Sequence, residues 1–316
     1  MGIKMKVIYL DTNKWILLSR GWYSGKGEEY DLVLEIKEKI MRGKIRVVLS
    51  LSNVEETLKQ SDKERRERLL DFMLDLSQGY TIAPYPAIKD IEIKNAFKKI
   101  LSFPEMDLNA ILFRRGLSGL FGKVPTILVG VPEETKKVML EKVDSLETMR
   151  KILKSSDLRD EFCLSHIGDA EVTKKIEEAR KNERKFPDKV LNNKLVMVEF
   201  ILDFIVPHLI RFTLENNLSK EAILNPSDLG RVMKLFQSMP ATYSFFCLND
   251  MRNRNMDRKV NLHDQNDIFS FSVAIPYCDI VFGEKMFILL AKHSKLDKIY
   301  NKKITSSFKE FKQLIS

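Results

Sequence analysis

Cysteine and histidine, which supply many metal and redox sites, are scarce in this 316-residue chain. The three cysteines, Cys163, Cys247 and Cys278, form neither a CxxC pair nor a Cys/His ligand spacing. Scattered thiols in odd number argue against a zinc site and a disulfide framework, and they suit a reducing compartment. The histidines show no common pattern, and His263 beside Asp264 is more typical of a surface loop than of a metal site.

Long hydrophobic runs are missing as well. No apolar stretch approaches the roughly 20 residues that a membrane-spanning helix needs. The first residues lack the basic region, apolar core and small-residue cleavage site of a signal peptide. We therefore expect a cytoplasmic protein without a membrane partner.

Hydrophobic residues and positive charge, in contrast, are plentiful. Hydrophobic residues make up 44% of the chain, enough to bury a core without covalent cross-links. Lys and Arg number 53 against 44 Asp and Glu, so the formal charge is +9. This balance favours contact with polyanions such as nucleic acids, although charge alone does not identify the partner.

The first eighty residues alternate short apolar strands with amphipathic helices. Strands are predicted in KVIYLD, IRVVLSLS and GYTIAP, with helices in YDLVLEIKEKIMRGK, from about Tyr30, and in NVEETLKQSDKERRERLLDFMLDL. Strands separated by helices pair in parallel through right-handed crossovers. The sequence therefore predicts an open α/β sheet with its ligand site at the carboxyl ends of the strands.

The middle of the chain, residues 84–246, shows helical patterns and no convincing strand. One of these helical stretches, NKLVMVEFILDFIVPHLIRFTLENN, is nearly apolar on all sides and is predicted to be buried. From residue 247 the α/β pattern resumes with a helix, the strand DIVFGE, the helix KMFILLAKHS and a final edge strand KIY. We therefore expect one α/β domain, formed by residues 1–83 and 247–316, that is interrupted by an all-helical subdomain.

Acidic residues stand at the ends of the predicted strands and at the starts of the helices that follow. They are Asp11, Glu55, Glu56, Asp264, Asp267, Asp279 and Glu284. Carboxylates that converge at one sheet edge repel each other, and a divalent cation such as Mg²⁺ or Mn²⁺ removes that conflict. Such a cluster suits metal-assisted phosphodiester hydrolysis. Each acid alone is equally typical of a turn, a cap or the first turn of a helix. Glu55 and Glu56, for example, lie in the first turns of a helix that Ser52 or Asn53 would cap.

Three stretches, YLDTNKWI, VVLSLSNVEET and NDIFSFSVAIPYCDIVFGEK, together resemble the PIN-domain nucleases, in particular their larger members. The resemblance covers roughly the first eighty and the last seventy residues and leaves the helical insert out. It implies a PIN-like three-layer α/β/α fold with a central, mostly parallel sheet. It also implies a metal-dependent endoribonuclease that hydrolyses RNA phosphodiester bonds with Mg²⁺ or Mn²⁺.

The resemblance also assigns roles to individual acids. The catalytic positions match Asp11, Glu56, Asp267 and Asp279, and Glu56 is preferred to Glu55 because it follows Ser50 by six residues. The metal ligands would be these four acids together with Glu284. Many family members have Asp at the place of Glu284, so the motif leaves open whether Asp279, Glu284 or both bind the metal.

Substrate contacts are predicted on both sides of the acids. The resemblance gives Asn13 a role in orienting water or metal beside Asp11. The basic stretch NDMRNRNMDRK precedes the late acidic motif, where its cations could hold the RNA backbone without reading its sequence. These cations are Arg252, Arg254, Arg258 and Lys259.

Several other functions agree with parts of the same pattern. A flap-type DNA nuclease shares the acids, but the chain shows no helix-hairpin-helix glycine pattern. A dehalogenase-like phosphatase needs a second Asp two residues after the first, where Asn13 cannot protonate a leaving group. A catalytically inactive RNA-binding or protein-binding module remains the non-enzymatic alternative. Some PIN proteins act as toxins or defence effectors, so an inhibitory or activating protein partner is a further expectation.

Overall fold

A parallel sheet of four strands lies at the centre of a mostly helical protein. The computed structural model describes residues 5–122, 132–164, 177–178, 197–198, 200–219, 229–254 and 264–316. The predicted α/β class agrees with this architecture. Within the described ranges, no helix is long and apolar enough to cross a membrane.

The elements are numbered along the chain. The strands are β1 (Lys6–Leu10), β2 (Ile45–Val48), β3 (Tyr80–Ile82), β4 (Phe113–Arg115), β5 (Ile280–Phe282) and β6 (Lys303–Thr305). The helices of the first part are α1 (Thr12–Ser24), α2 (Glu28–Met41), α3 (Leu51–Leu58), α4 (Lys63–Ser77), α5 (Tyr85–Ile100), α6 (Asn109–Leu112), α7 (Leu117–Phe121), α8 (Glu133–Val143), α9 (Leu146–Leu153) and α10 (Ser156–Leu164). A π-helical turn (Ile201–Ile205) precedes α11 (Val206–Glu215), α12 (Leu229–Gln237), α13 (Pro240–Arg254), α14 (Asp264–Tyr277), α15 (Lys285–His293), α16 (Leu296–Ile299) and α17 (Phe308–Ile315).

The order of the sheet is β2-β1-β5-β6, and all its pairs are parallel. Tyr9 of β1 is opposite Val48 of β2 and Val281 of β5, so the three strands end at the same level. The strand β1 thus lies between the second strand and the late strand β5. Their carboxyl ends form the edge at which the acids were expected.

Side chains of the sheet alternate between two hydrophobic cores. Ile8 and Leu10 contribute to a first core with Trp15 of α1, whereas Tyr9 contributes to a second core with Phe271 of α14. Period-two alternation is what a sheet covered on both faces requires. Helices of the first part of the chain cover mainly one face, and α13, α14 and α15 cover the other.

Strand β3 departs from the predicted sheet. It pairs antiparallel with β4, which lies inside the segment predicted to have no strand, so that expectation was wrong. A parallel bridge between Leu49 and Thr81 joins this small sheet to β2. The Thr81 hydroxyl donates to the Arg114 carbonyl oxygen at 3.1 Å, a long-range pairing that local hydrophobic patterns do not reveal.

The predicted final strand KIY was also wrong. Residues Leu296–Ile299 form α16, and Lys295 directly before this helix has a left-handed backbone conformation with a φ of 57°. The last strand is β6, which begins seven residues after Leu296. Its Ile304 is buried beside β5. A single apolar residue between polar ones fits either segment, and the pairing with β5 decides which becomes the strand.

Several helix boundaries follow caps rather than hydrophobic patterns. The helix α1 begins directly after Asp11, where no helix was predicted before about Tyr30. The stretch predicted as one helix after β2 is two, because the Asp62 side chain accepts the Arg65 N–H and starts α4. Ser145 likewise divides α8 from α9 by accepting the Thr148 N–H.

Apolar residues of the helical segment 84–246 contribute to all three hydrophobic cores. A third core joins Phe97 to Phe212 and Phe236, all within this segment. However, Tyr85 and Leu112 belong to the second core, and Leu120 and Met149 to the first. The expectation that the stretch NKLVMVEFILDFIVPHLIRFTLENN is buried was wrong for its final turns, because Leu214 is 73% exposed while Phe212 is 3% exposed.

Candidate active site

Asp11 lies at the carboxyl end of β1, where it caps α1. The carboxylate is 4% exposed and accepts the Thr12 N–H through Oδ1 at 2.8 Å. Oδ2 accepts the Glu284 N–H at 3.1 Å, from the residue that follows β5 by two. Two backbone N–H donors from two different parts of the chain therefore fix the orientation of this carboxylate. Asp11 is thus more than a local turn or cap residue.

Glu56 reaches the same place from α3. Ser50 is the N-cap of that helix, in place of the predicted Ser52 or Asn53, and it forms a capping box with Asn53. The Asn53 amide donates to the Thr12 hydroxyl at 3.1 Å and so ties α3 to α1. The side chains of Thr12 and Asp267 lie close enough to the Glu56 carboxyl group to lower its pKa against the effect of burial.

Asp267 and Glu284 complete the cluster from the late part of the chain. Asp267 lies in the first turn of α14, and its charge interacts with Glu56, Asp11 and Glu284 in that order of strength. Glu284 precedes α15 and is exposed, so the cluster is open to solvent on its side. The structure thus brings together four predicted site residues, Asp11, Glu56, Asp267 and Glu284, which we name the carboxylate cluster.

The carboxylate cluster is strained electrostatically. Burial, followed by the charges of Glu56, Asp11 and Glu284, raises the pKa of Asp267 from 3.8 to about 10. Burial and the charge of Glu56 raise the pKa of Asp11 to about 7. Burial also raises the pKa of Glu56, against the opposing effect of the Thr12 and Asp267 side chains. Without a cation, the cluster therefore retains protons at neutral pH.

Asp279 does not join the carboxylate cluster, and the expectation that it converges there was wrong. It precedes β5, so it lies at the amino end of the sheet, opposite to Asp11. Its Oδ2 accepts the Val7 N–H at 2.8 Å, and Lys302 lies 3.6 Å from Oδ1. The strand between Asp279 and Glu284 has only three residues, but they separate the two edges of a parallel sheet.

The other acids and polar residues of the motif take different positions. Glu55, the less favoured neighbour of Glu56, accepts the Asn266 amide N–H at 3.2 Å. Asp264 is buried at the start of α14 and contributes to the raised pKa of Asp267. Asn13 is exposed in the first turn of α1. His263 lies outside the described residues.

Two of the four predicted basic contacts can be placed. Arg252 is buried, and its guanidinium donates to Asn249 at 2.9 Å and to Asn253 at 3.2 Å. Arg254 is exposed and forms an ion pair with Asp250 at 2.6 Å. Burial of Arg252 among amide groups argues for a structural role, and only Arg254 presents a charge to solvent. Arg258 and Lys259 lie outside the described residues.

The sequence patterns missed two polar neighbours of the carboxylate cluster. The Lys14 ammonium donates to the Ser306 carbonyl oxygen at 3.2 Å, and burial lowers its pKa against the charges of Asp11 and Glu284. Burial, followed by the nearby charge of Asp11, raises the pKa of the Tyr9 hydroxyl, and the neighbouring Ser50 and Ser270 side chains oppose this rise.

The cluster suits a divalent cation by its donor chemistry rather than by a finished geometry. Among the described residues, no group of three or more His, Cys, Asp or Glu side chains is arranged to hold a metal ion. The four acids still supply the carboxylate oxygens that Mg²⁺ and Mn²⁺ prefer, and Mg²⁺ keeps several waters and needs few protein ligands. The mutual repulsion that raises the pKa of Asp267 is what a cation would relieve.

Comparisons with protein-family models, with curated proteins and with solved structures found no match to this chain.

Proposed function

We propose that this protein is a divalent-metal-dependent endoribonuclease with a PIN-like three-layer domain. The observation that carries the proposal is the carboxylate cluster, in which acids from separate parts of the chain meet at the carboxyl edge of a parallel sheet. The raised pKa values of Asp11 and Asp267 support it, because structural acids are more often placed where their charge is compensated. The PIN-like motifs and the charge of +9 support RNA as the substrate.

Asp11, Glu56, Asp267 and Glu284 would hold Mg²⁺ or Mn²⁺ in this proposal. A bound divalent cation neutralises the scissile phosphate and lowers the pKa of a water molecule. Asp11 is the best positioned ligand, because two backbone N–H groups already fix both of its oxygens. Burial raises the pKa of Glu56 and of Asp267, so both would give up protons in holding a cation.

Lys14 places a positive charge beside the carboxylate cluster. Its ammonium interacts with Asp11 and Glu284, and a cation in this place can contact a phosphate oxygen of the substrate. Asp279 is left out of the proposed ligand set because it lies at the opposite edge of the sheet. Control by an inhibitory or activating protein, and a role in toxicity or defence, stay predictions from the family resemblance.

The proposal is tested by cleavage of end-labelled single-stranded RNA with Mg²⁺ or Mn²⁺, with EDTA as the negative control. We expect Asp11→Asn and Asp267→Asn to lower the cleavage rate by about 100-fold or more, since outer-shell changes alone cost up to that factor. Asp279→Asn is the matched control, because the same substitution at the other edge keeps an acceptor for the Val7 N–H. It should retain near full activity.

Two results would contradict the proposal. Equal losses in Asp279→Asn and Asp267→Asn would show that the carboxyl edge has no special role. Cleavage that persists in EDTA would show that the carboxylates act without a metal. Parallel trials with flapped DNA and Mn²⁺ titration by calorimetry separate a DNA nuclease and an inactive binding module from the proposed enzyme.

A further inference from the structure

A small pocket lies beside the carboxylate cluster. It has a volume of about 220 Å³ and is formed by the start of α3, the end of β3 with the start of α5, and the first turns of α14. Known pockets for drug-sized ligands are larger, about 300–1,000 Å³. This pocket is therefore suited to one planar ring system rather than to a whole nucleotide.

The pocket and the carboxylate cluster share their walls. Ser50, Ser52 and Glu55 of the pocket precede Glu56 on α3, and Asn266 precedes Asp267 on α14. The Tyr9 side chain is close both to Ser50 and Ser270 of the pocket and to Asp11 of the carboxylate cluster. A ligand held in this pocket would therefore contact residues that directly precede Glu56 and Asp267 in the sequence.

The pocket has an aromatic side. Phe269 is half-buried and lines the pocket with Tyr85. Its ring is nearly parallel to those of Tyr85 and Phe245, at interplanar angles of 19° and 12°. Three parallel rings fix the orientation of Phe269, which leaves part of one ring available for a flat ligand. Bases of single-stranded RNA are commonly held by stacking on such side chains.

The opposite side of the pocket is polar. Ser52 bonds to the Ser270 hydroxyl, and Asn266 donates to the Glu55 carboxylate at 3.2 Å. An ionised carboxylate accepts hydrogen bonds only, and its two oxygens together have about four acceptor sites. Glu55 therefore favours a ring whose edge carries an amino group over one whose edge carries carbonyl oxygens.

We infer that this pocket binds one nucleobase of the RNA strand next to the scissile phosphate, and that Glu55 selects bases with an exocyclic amino group over uracil. The inference rests on the proposed nuclease function and gives that site a base preference. It also gives Glu55 and Glu56 different tasks, base selection and metal binding. Phe269 and Glu55 are the substrate contacts.

The test measures binding and cleavage separately on the full chain. Binding is followed by fluorescence anisotropy of labelled RNA hexamers, with Mg²⁺ and the Asp267→Asn substitution to block cleavage. Each hexamer position is replaced in turn by an abasic residue. We expect a loss of affinity at one position by about 5-fold to 100-fold, which matches the stacking contribution of a single base.

Phe269→Ala should cause the same loss with the intact hexamer and little further loss with that abasic hexamer. Phe269→Leu serves as a second variant, since it removes the ring but keeps an apolar side chain in the core. Uridine at the sensitive position should bind less tightly than cytidine, and Glu55→Gln should reduce that difference. Glu64→Gln, an exposed acid on α4, is the matched control.

The outcomes distinguish this inference from the nuclease proposal. Equal losses at all abasic positions, or additive effects of Phe269→Ala and the abasic residue, would overturn the pocket assignment even if RNA is cleaved. Coupling between Phe269 and one base would support it even if no metal activates cleavage. An unchanged uridine penalty in Glu55→Gln would overturn the selection by Glu55.

Discussion

The carboxyl group of Asp267 lies among three other acids and is largely buried. Its pKa of about 10 lies above the ordinary value of 3.8, so the folded protein holds a proton that the unfolded chain releases. Stability from this group is fully present below about pH 4 and is lost as the pH rises toward 10. At neutral pH in the absence of metal, Asp267 therefore opposes folding.

We expect Asp267→Asn to raise the melting temperature at pH 8 in EDTA, by about 3 °C or more. The reason is that an amide keeps the shape of the protonated acid, whereas the wild-type acid must take up a proton on folding. The gain should shrink toward pH 4, where the unfolded wild-type acid also begins to be protonated. Differential scanning fluorimetry over this pH range checks the expectation, and a variant that is less stable at pH 8 would contradict it.

Mn²⁺ should reverse this order of stability. A cation that binds the folded wild-type protein raises its melting temperature by mass action. The Asp267→Asn variant lacks one ligand and should gain less at the same Mn²⁺ concentration. Ca²⁺-free buffer with EDTA is the control, and equal gains in both proteins would show that Mn²⁺ binds elsewhere.

At the scale of elements, a buried glutamate joins three helices. Glu92 of α5 accepts the Ala241 N–H at 2.8 Å and the Thr242 N–H at 3.0 Å at the start of α13. The Tyr277 hydroxyl at the end of α14 donates to the same carboxylate. The start of α13 and the end of α14 therefore meet at this carboxylate.

Glu92→Ala should lower the free energy of unfolding by about 2–4 kcal/mol, because it leaves buried donors of α13 without an acceptor. Urea denaturation of the full chain measures the change. Glu38→Ala, at an exposed ion pair on α2, is the control and should cost well under about 1 kcal/mol. A loss from Glu92→Ala as small as the control would show that Glu92 does not hold the two helices together.

Sequence patterns predicted the main sheet well and the connections poorly. Strands β1, β2 and β5 each contain consecutive apolar residues. Such runs indicate a buried strand whichever strand it pairs with. The strand β4 contains FRR, which becomes a strand only by pairing with β3, so no local pattern could reveal it. The end of the strand at which an acid lies also decides whether it joins the carboxylate cluster, because the three-residue strand β5 places Asp279 and Glu284 at opposite edges of the sheet.

The carboxylate cluster was predictable for the same reason that the sheet was. Asp11 and Glu56 follow strands whose parallel pairing was evident, and Asp267 begins a helix next to β5. The neighbours Lys14 and Tyr9 were not predictable, because their roles depend on where Ser306 and Ser270 arrive from late in the chain. Glu92 gave no signal either, since a glutamate in a helix is ordinarily exposed.

At the scale of the whole molecule, β1 is a central strand that needs partners from both ends of the chain. It pairs with β2 on one side and with β5 on the other. A chain that stops at residue 246 would leave one edge of β1 unpaired and would expose apolar residues of both cores. Unpaired edges and exposed apolar surface lead to association.

We therefore expect residues 1–246 alone to lack a cooperative thermal transition and to elute as aggregates in size-exclusion chromatography. The full chain, purified in the same buffer, should unfold cooperatively and is the reference. Near-ultraviolet circular dichroism provides the second readout, because Trp15 packs against Phe72 in the first core. A monomeric fragment with a sharp transition would show that the helical segment and the first strands form an independent unit.

The order of the sheet also bears on when the proposed nuclease becomes competent during its own synthesis. As the polypeptide leaves the ribosome, Asp11 and Glu56 emerge early, but Asp267 and Glu284 follow more than two hundred residues later. The nascent chain therefore carries only half of the carboxylate cluster until residues 264–284 have been translated. An RNA-cleaving activity built in this way cannot act on the messenger or the ribosome while most of the protein is still being made.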